Sequence, residues 1–284
     1  MTSGNTLKAL IMLLRPPYWL MTGGLSVLTM IALQKGIPEL ELLALVILST
    51  VCISSAGFAF NDYIDQESDA IVTKNRPIPS KSITPWNALL VSVILFAIGL
   101  MASLNIYPLC FGLALMDTVL LVVYSKIVKK RLGFLGSFLM GFLIGTSFVY
   151  GEAALYGTIT LNSLSLSFMS MGSIGGNVLR DVLSLEGDQK AGYSTLAAKS
   201  GPKFAAKIGA LFFLLNAVAS PIPYLVEAVN TLYLFPIIIW DILLVVSSVS
   251  ILRKPEIEVV KKHERLVTRT MILIPIALIL GALP

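Results

Sequence analysis

The chain is poor in the side chains most enzymes use for chemistry. It has one histidine, His263, and two cysteines, Cys52 and Cys110, among 284 residues. Both cysteines fall in apolar runs, too few and too apolar in setting for a thiolate metal site or a disulfide framework. The histidine lies in a stretch rich in Lys and Arg, which leaves His-based catalysis without a partner. There is no P-loop, and Glu186-Gly187-Asp188 is not a nucleotide-binding loop. Charge is scarce too, at 13% of residues against 56% hydrophobic ones, with a mean hydropathy of +0.86. A balance this apolar excludes an ordinary soluble domain.

What the chain does have is long apolar runs of the length that crosses a bilayer. Nine are legible, near residues 14–34, 40–60, 85–104, 107–125, 134–151, 158–179, 204–222, 231–252 and 266–283. The first starts at Arg15-Pro16-Pro17, is of spanning length and lacks a small-residue cleavage site, so no cleavable signal peptide is expected. Backbone polar groups in lipid must be satisfied within the segment, which predicts an all-α, polytopic transmembrane bundle of about nine helices. The basic residues then fix its direction. Of 21 Lys and Arg, only Lys35 falls on the side reached after odd-numbered helices. The amino terminus is therefore expected in the cytoplasm and the carboxyl terminus outside, in a multi-pass protein of the cell membrane.

Two acidic segments end apolar runs on that cytoplasmic side, about 120 residues apart. The first reads Asn61-Asp62-Tyr63-Ile64-Asp65-Gln66-Glu67-Ser68-Asp69, the second Asp181-Val182-Leu183-Ser184-Leu185-Glu186-Gly187-Asp188. On a helix Asp62, Asp65 and Asp69 share a broad face, as do Asn61, Asp65 and Asp69, and Asp181 and Asp188 lie two turns apart. Clustered carboxylates repel, so a cation is expected to join them. All-oxygen ligands suit Mg²⁺, which completes its shell with water and phosphate. The expected metal set is Asn61, Asp62, Asp65, Asp69, Asp181 and Asp188.

Basic residues flank these segments. Lys74-Asn75-Arg76-Pro77-Ile78-Pro79-Ser80 begins five residues past the first, stiffened by two prolines, and a fixed Arg suits bidentate phosphate binding. Lys126, Lys129, Lys130 and Arg131 form a denser patch after Tyr124. Most other cytoplasmic Lys and Arg, such as Arg253, Lys254, Lys261 and Lys262, have a sufficient role in topology and lipid contact. Gly141, Gly145, Gly151, Gly172, Gly175 and Gly176 suit close helix contact or a channel for an apolar chain. Asp117 and Asp241 fall inside predicted spans, where an ionisable group is costly.

At these residues the chain resembles the UbiA superfamily of intramembrane prenyltransferases. Asn61-Asp62-x-x-Asp65-x-x-x-Asp69 with Lys74 to Ser80 is similar to that family's first signature. Asp181 to Asp188 with Gln189-Lys190-Ala191-Gly192 is similar to the second, and Tyr124 with its basic residues to the third connection. Many relatives carry acids at the positions of Asn177 and Ser184, so this chain departs from the pattern there. The resemblance implies one domain over residues 1–284, a polyprenyl diphosphate donor, a lipophilic acceptor and Mg²⁺. It further implies catalytic roles for Asp65, Asp69, Asp181, Asp188 and Tyr124. Substrate binding would fall to Asn61, Lys74, Arg76, Lys129, Lys130, Arg180 and Asn177. Tyr124, Tyr150 and Phe148 are candidates to face an allylic cation, and an apolar cavity would keep water from it. Membrane lipid is an expected partner; nucleic acid and an obligate protein partner are not.

The acceptor stays open at this level. Gly145-Thr146-Ser147-Phe148 is similar to members that prenylate geranylgeranylglyceryl phosphate in archaeal ether-lipid synthesis. Asp181-x-x-Ser184-x-Glu186-Gly187-Asp188 also resembles members acting on chlorophyll precursors, and aromatic quinone precursors share the donor chemistry. A secondary transporter is the alternative of another class, but its charges would gather near mid-bilayer rather than at helix ends.

Overall fold

The computed structural model describes residues 3–283, except for the side chains of residues 3–6, 71 and 72. Among the described residues there is helix and no strand. The chain begins with α1 (Ser3–Leu14), α2 (Pro16–Gln34) and α3 (Leu40–Ile64), then α4 (Gln66–Val72), α5 (Pro85–Leu104) and α6 (Pro108–Val123). A π turn, Tyr124–Val128, carries α6 into the single turn α7 (Lys129–Arg131), before α8 (Phe134–Tyr156). Next come α9 (Leu161–Ser167), α10 (Met171–Leu183), α11 (Leu185–Lys190) and α12 (Leu196–Ser200). The last part holds α13 (Pro202–Ala219), α14 (Ile222–Leu225), α15 (Leu234–Arg253), α16 (Ile257–Thr270) and α17 (Leu273–Gly281).

Prolines start four of the long helices, α2, α5, α6 and α13. At the first turn a missing N–H removes no helical bond and the fixed φ is already helical. Thr84 adds a cap to α5 by accepting from Asn87 N at 3.2 Å.

Among the described residues, six helical stretches are long and apolar enough to cross a membrane: Leu40–Ile64, Pro85–Leu104, Pro108–Arg131, Phe134–Tyr156, Pro202–Leu225 and Thr231–Arg253. The other three expected spans are helical but differ from what their apolar content suggests. Arg15, at φ 51°, separates α1 from α2. The run near 158–179 is split into α9 and α10 by a 3₁₀ turn, Phe168–Ser170, and the last run into α16 and α17. The basic segment 253–265, expected as a loop, is mostly α16, and this helix buries His263 against Ser247 Oγ at 3.1 Å.

Among the described residues two large clusters make most of the interior, with a smaller third around Leu13, Ile78 and Ile83. One gathers Met30, Val46, Ile53, Ala56, Phe96, Cys110, Ala114, Tyr150 and Ala153, from α2, α3, α5, α6 and α8. The other gathers Leu179, Ala206, Phe213, Tyr233, Trp240, Leu244 and Leu278, from the second half. The periphery stays apolar, with Val93, Ile94, Ile238, Ile239, Ile242 and Val246 all largely exposed. In water such a surface would aggregate; in lipid it is solvated.

Small residues let the helices touch. A methyl on Gly151 would stand 2.5 Å from Ser26 O, and one on Gly175 2.6 Å from Gly209 O. Gly141 and Gly145 likewise abut Ile174 and Ser170. These glycines serve helix contact, not a channel. Hydroxyls and amides join the same crossings. Ser26 donates to Ser147 O at 2.8 Å, Ser92 to Ala56 O at 2.9 Å, and Trp240 Nε1 to Asn216 Oδ1 at 3.1 Å.

Candidate active site

The two acidic segments share a local form that the sequence pattern does not reveal. Neither is one continuous helix. The first breaks at Asp65 (φ −92°, ψ 9°), where α3 gives way to α4, and the second at Ser184 (φ −99°, ψ 7°), where α10 gives way to α11. The short helices α4 and α11 then pack on each other. Ser68 Oγ and Tyr193 OH share a hydrogen bond of 2.8 Å across that contact.

In the first segment each of the three aspartates has a basic partner. Asp62 pairs with Arg15 and, at 3.3 Å, with Arg76. Asp69 accepts from Arg76 at 2.6 Å and from Thr73 Oγ1 at 2.9 Å. Asp65 pairs with Lys129, accepts from Asn61 Nδ2 at 3.1 Å, and has Lys130 Nζ at 3.7 Å. Asp62, Asp65 and Asp69 are all buried. Two buried oxygens stay without a hydrogen-bond partner, Asn61 Oδ1 and Asp65 Oδ1. Unmet acceptors on an all-oxygen donor set fit a hard divalent cation. Among the described residues, however, no three carboxylate, imidazole or thiol groups stand close enough to hold a metal by themselves.

Three features aim the basic partners. The loop after α4 is pinned by Ile78 and Ile83, buried with Ala9, Leu13, Ala59 and Ala88, and by Ser82 N and Ile83 N donating to Pro77 O at 3.0 and 3.1 Å. Arg76 thus stands on a fixed loop, while Lys74 is exposed. Arg15 takes the left-handed backbone rarely used by non-glycine residues, with its guanidinium 4.9 Å from the Phe58 ring centre. Lys129 is aimed by the π turn, whose extra residue rotates the following side chains, and its N–H donates to Tyr124 O. A connection was expected here; the chain stays helical instead.

The second segment is wired differently. Asp181 lies past the end of the apolar run near 158–179. It accepts from Ser137 Oγ at 2.9 Å, and Asp188 accepts from Ser184 Oγ at 2.7 Å. Burial pushes the Asp181 carboxyl up to about 6, despite the Ser137 bond. Burial also raises Asp188, against the Ser184 hydroxyl and the Lys129 charge. Lys129 lowers Asp181 as well, so this one ammonium lies in the field of both segments; it also sits 4.9 Å from the Tyr193 ring centre. Ser194 N donates to Lys130 O at 3.1 Å, stitching the loop after α11 to α7. Arg180 points elsewhere: its Nε donates to Gly176 O at 3.2 Å and lies 3.8 Å from Glu264. Asn177 is half-buried on α10.

Beneath the ion pairs lies a cavity of about 200 Å³ between α2, α3, α6 and α8. Arg15, Asn61, Arg76, Tyr124 and Lys129 line its charged end, and Ser49 and Tyr150 its inner end. Ser49 and Asn61 lie twelve positions apart on one continuous helix, a rise of ~18 Å. Tyr150 is therefore remote from the ion pairs, its hydroxyl donating to Ser49 Oγ at 2.8 Å. Phe148 is buried in the other core cluster. Of the three aromatics expected near a cation, only Tyr124 stands at the charged end. Asp117 lines the cavity wall, accepting from Thr146 Oγ1 at 2.9 Å with its Oδ1 unpaired. Asp241 accepts from Ser220 Oγ at 2.6 Å, outside the cavity.

Sequence reasoning missed Arg15 and Tyr193. Arg15 had a signal, a basic residue before two prolines on the same side as both acidic segments. Tyr193 had none, since its contact joins residues 125 positions apart.

A membrane-type helical bundle with charged helix ends gathered over an apolar cavity defines an enzyme of the lipid phase. The chain belongs to the UbiA prenyltransferase family, whose model matches residues 20–264. It is thus a multi-pass membrane prenyltransferase. A digeranylgeranylglyceryl phosphate synthase of Methanococcoides burtonii is 33% identical over 232 residues, covering 81% of each chain. A solved structure described as giving insight into digeranylgeranylglyceryl phosphate synthase in membranes superimposes with a TM-score of 0.83, at 27% identity over 98% of each chain. A UbiA homolog from Archaeoglobus fulgidus, solved with DMAPP and Mg²⁺, has a TM-score of 0.71 at 16% identity, covering 96% of this chain and 97% of that one.

Proposed function

We propose that this enzyme moves a geranylgeranyl group from its diphosphate to geranylgeranylglyceryl phosphate, the second ether-forming prenylation of an archaeal lipid. The observation that carries the donor half is the set of ion pairs over the cavity, Arg15, Arg76 and Lys129 against Asp62, Asp65 and Asp69. The acceptor half rests on the likeness to digeranylgeranylglyceryl phosphate synthases. Chlorophyll-type and aromatic acceptors have no such support.

The donor tail lies in the cavity and its diphosphate at the charged end. Arg76, Lys129 and Arg15 bind phosphate oxygens and stabilise the negative charge that grows as C1–O breaks. Asn61, Asp62, Asp65 and Asp69 with Asp181 and Asp188 would hold Mg²⁺, for which the oxygens of Asn61 and Asp65 that lack a hydrogen bond are suited. Bound there, Mg²⁺ supplies further neutralisation of the leaving diphosphate. Tyr124 presents its ring toward C1 and helps keep water away. Lys130 and Lys74 extend the basic rim, while Arg180 and Asn177 bear on the second segment.

Nine passes are proposed, α2, the α9–α10 pair and the α16–α17 pair adding to the six long apolar stretches, in a single domain. With 20 of 21 basic residues on one side, the site opens to the cytoplasm. A cysteine at Ser80 should then react with an impermeant thiol reagent from the cytoplasmic face, and one at Asn230 only from outside. Labelling of both from one face would remove the orientation.

Labelled geranylgeranyl diphosphate supplied with Mg²⁺ to the purified enzyme tests the reaction. Product should form with geranylgeranylglyceryl phosphate and not with aromatic or chlorophyll-type acceptors. Preference for one of those instead would reassign the acceptor while leaving the donor chemistry standing.

A further inference from the structure

Two of the cations proposed to bind the donor rest on aromatic faces. The Arg15 guanidinium lies 4.9 Å from the Phe58 ring centre, and Lys129 Nζ lies 4.9 Å from that of Tyr193. Each also pairs with a carboxylate, Asp62 for Arg15 and Asp65 for Lys129. A ring attracts a cation through its quadrupole and brings no negative charge, so the cation stays available to an anion. A second carboxylate in that place would compete with phosphate for the same ammonium. The Tyr193 ring is fixed at both ends. Its backbone N–H donates to Asp188 O at 2.8 Å, after Gly192 turns the chain at φ 73°. Ser68 Oγ gives its one hydrogen to Asp65 O at 2.9 Å, so the Tyr193 hydroxyl is the donor in the 2.8 Å bond to Ser68. Tyr193 is thereby tied, through Ser68, to the backbone of the aspartate whose carboxylate holds Lys129.

We infer that Tyr193 is a positioning residue for the donor diphosphate, its ring seating the Lys129 ammonium without cancelling its charge, an inference that rests on the donor reading above. The seat matters because Lys129 is shared. It pairs with Asp65 of the first segment, and its charge reaches Asp181 and Asp188 of the second. A lysine is a point charge on a flexible stem, and one carboxylate contact leaves a partly exposed ammonium many positions. The ring reduces that freedom before substrate arrives, so less is lost when phosphate binds. Tyr193 belongs to the loop after α11, so the half of the chain that carries the second acidic segment helps aim a lysine of the first half. It touches no reacting atom and acts through Lys129.

The test measures kcat and KM for geranylgeranyl diphosphate and for one fixed acceptor, at saturating Mg²⁺. Tyr193→Leu keeps bulk and loses the π face; it should raise the donor KM by about five- to twenty-fold and leave the acceptor KM within about two-fold. Tyr193→Phe keeps the ring and should stay within about three-fold of wild type, as should Ser68→Ala, which removes only the acceptor of the hydroxyl. Tyr193→Phe carrying one, two or three ring fluorines holds the shape while draining the ring face, so donor KM should climb step by step whether or not Tyr193→Leu folds. In Lys129→Met, adding Tyr193→Leu should cause no further loss, because the ring then has no cation to seat. Equal losses in Tyr193→Phe and Tyr193→Leu would overturn the seat and make the hydroxyl bond to Ser68 the working contact. Additive losses in the Lys129→Met and Tyr193→Leu pair, or equal rises in donor and acceptor KM, would overturn it too. Good turnover with a flat fluorine series removes the seat alone; a wild-type enzyme that uses no prenyl diphosphate removes the donor reading beneath it.

Discussion

The two acidic segments look alike in sequence and in backbone, yet they are neutralised by opposite means. Both end an apolar helix, break after one turn and continue as a short helix at the same end of the bundle. In the first, three buried carboxylates answer three basic side chains. In the second, Asp181 and Asp188 have only serine hydroxyls as direct partners, and burial raises both. A cation beside a buried carboxylate offsets part of the cost of burying its charge; a hydroxyl partner offsets less of it. The first segment is thus a prebuilt ion-pair lattice, and the second a pair of acids held by hydroxyls, with Lys129 the nearby charge.

Loss of catalysis is the largest expected effect, and it should be common to both segments. Asp65→Ala, Asp69→Ala, Asp181→Ala and Asp188→Ala should each lower turnover by at least about 100-fold, because each removes an oxygen no neighbour replaces. Activity should vanish in excess chelator and return with Mg²⁺ or Mn²⁺. Near-normal turnover in either Asp181→Ala or Asp188→Ala would confine the site to the first segment.

The basic residues should divide along the same line. Arg76→Ala is expected to reduce kcat/KM for the donor by about ten- to a hundred-fold, the loss of a charge-assisted contact. Arg180→Ala should do far less, since Arg180 is turned toward Glu264, and Arg253→Ala less again. Similar losses at Arg76 and Arg253 would point to a diffuse electrostatic effect in place of a binding group.

Much of this is legible in the residues. Apolar run length gives six of the nine expected spans as long apolar helices, and the spacing of Asp62, Asp65 and Asp69 marks the candidate site. What escapes depends on tertiary contact or local backbone. Pattern extends a helix straight through Asp65 and Ser184, because a break costs nothing in hydropathy. The π turn at Tyr124–Val128 leaves no composition signal, so Lys129 reads as a loop lysine when a helix aims it. Tyr150 reads as a cation-facing ring, but its bond to Ser49 places it at the other end of the cavity.

Stability should separate the segments by sign. Asp62→Asn keeps an amide acceptor but removes the negative charge that Arg15 and Arg76 share, leaving Arg76 with Asp69 alone, and should lower the melting temperature by roughly 5 °C in detergent and chelator. Asp181→Asn removes a charge that burial disfavours and keeps an acceptor for Ser137, so it should raise the melting temperature by about 2 °C at pH 7.5. Destabilisation by both would show that Asp181 is held by a cation the hydroxyl contact does not reveal.

The smallest effect is the pH dependence of that second difference. Asp181 is raised in the folded protein from 3.8 to about 6. The fold therefore binds this proton more tightly than the unfolded chain does. Between pH 6 and pH 4 the folded carboxyl is protonated while the unfolded one is still charged, so stability from this group rises as pH falls through that window. Above pH 6 both forms are ionised, and the full burial penalty remains in the native state. The amide introduced by Asp181→Asn does not titrate, so the advantage of that substitution should be greatest at pH 7.5 and shrink steadily toward pH 5. Other groups, Asp188 included, titrate in both proteins, and the difference between the two melting curves largely removes them. The measurement belongs in chelator, where no metal competes with the proton. An advantage that holds constant from pH 7.5 to pH 5 would mean that packing around Ser137, and not the buried charge, sets the second segment apart from the first.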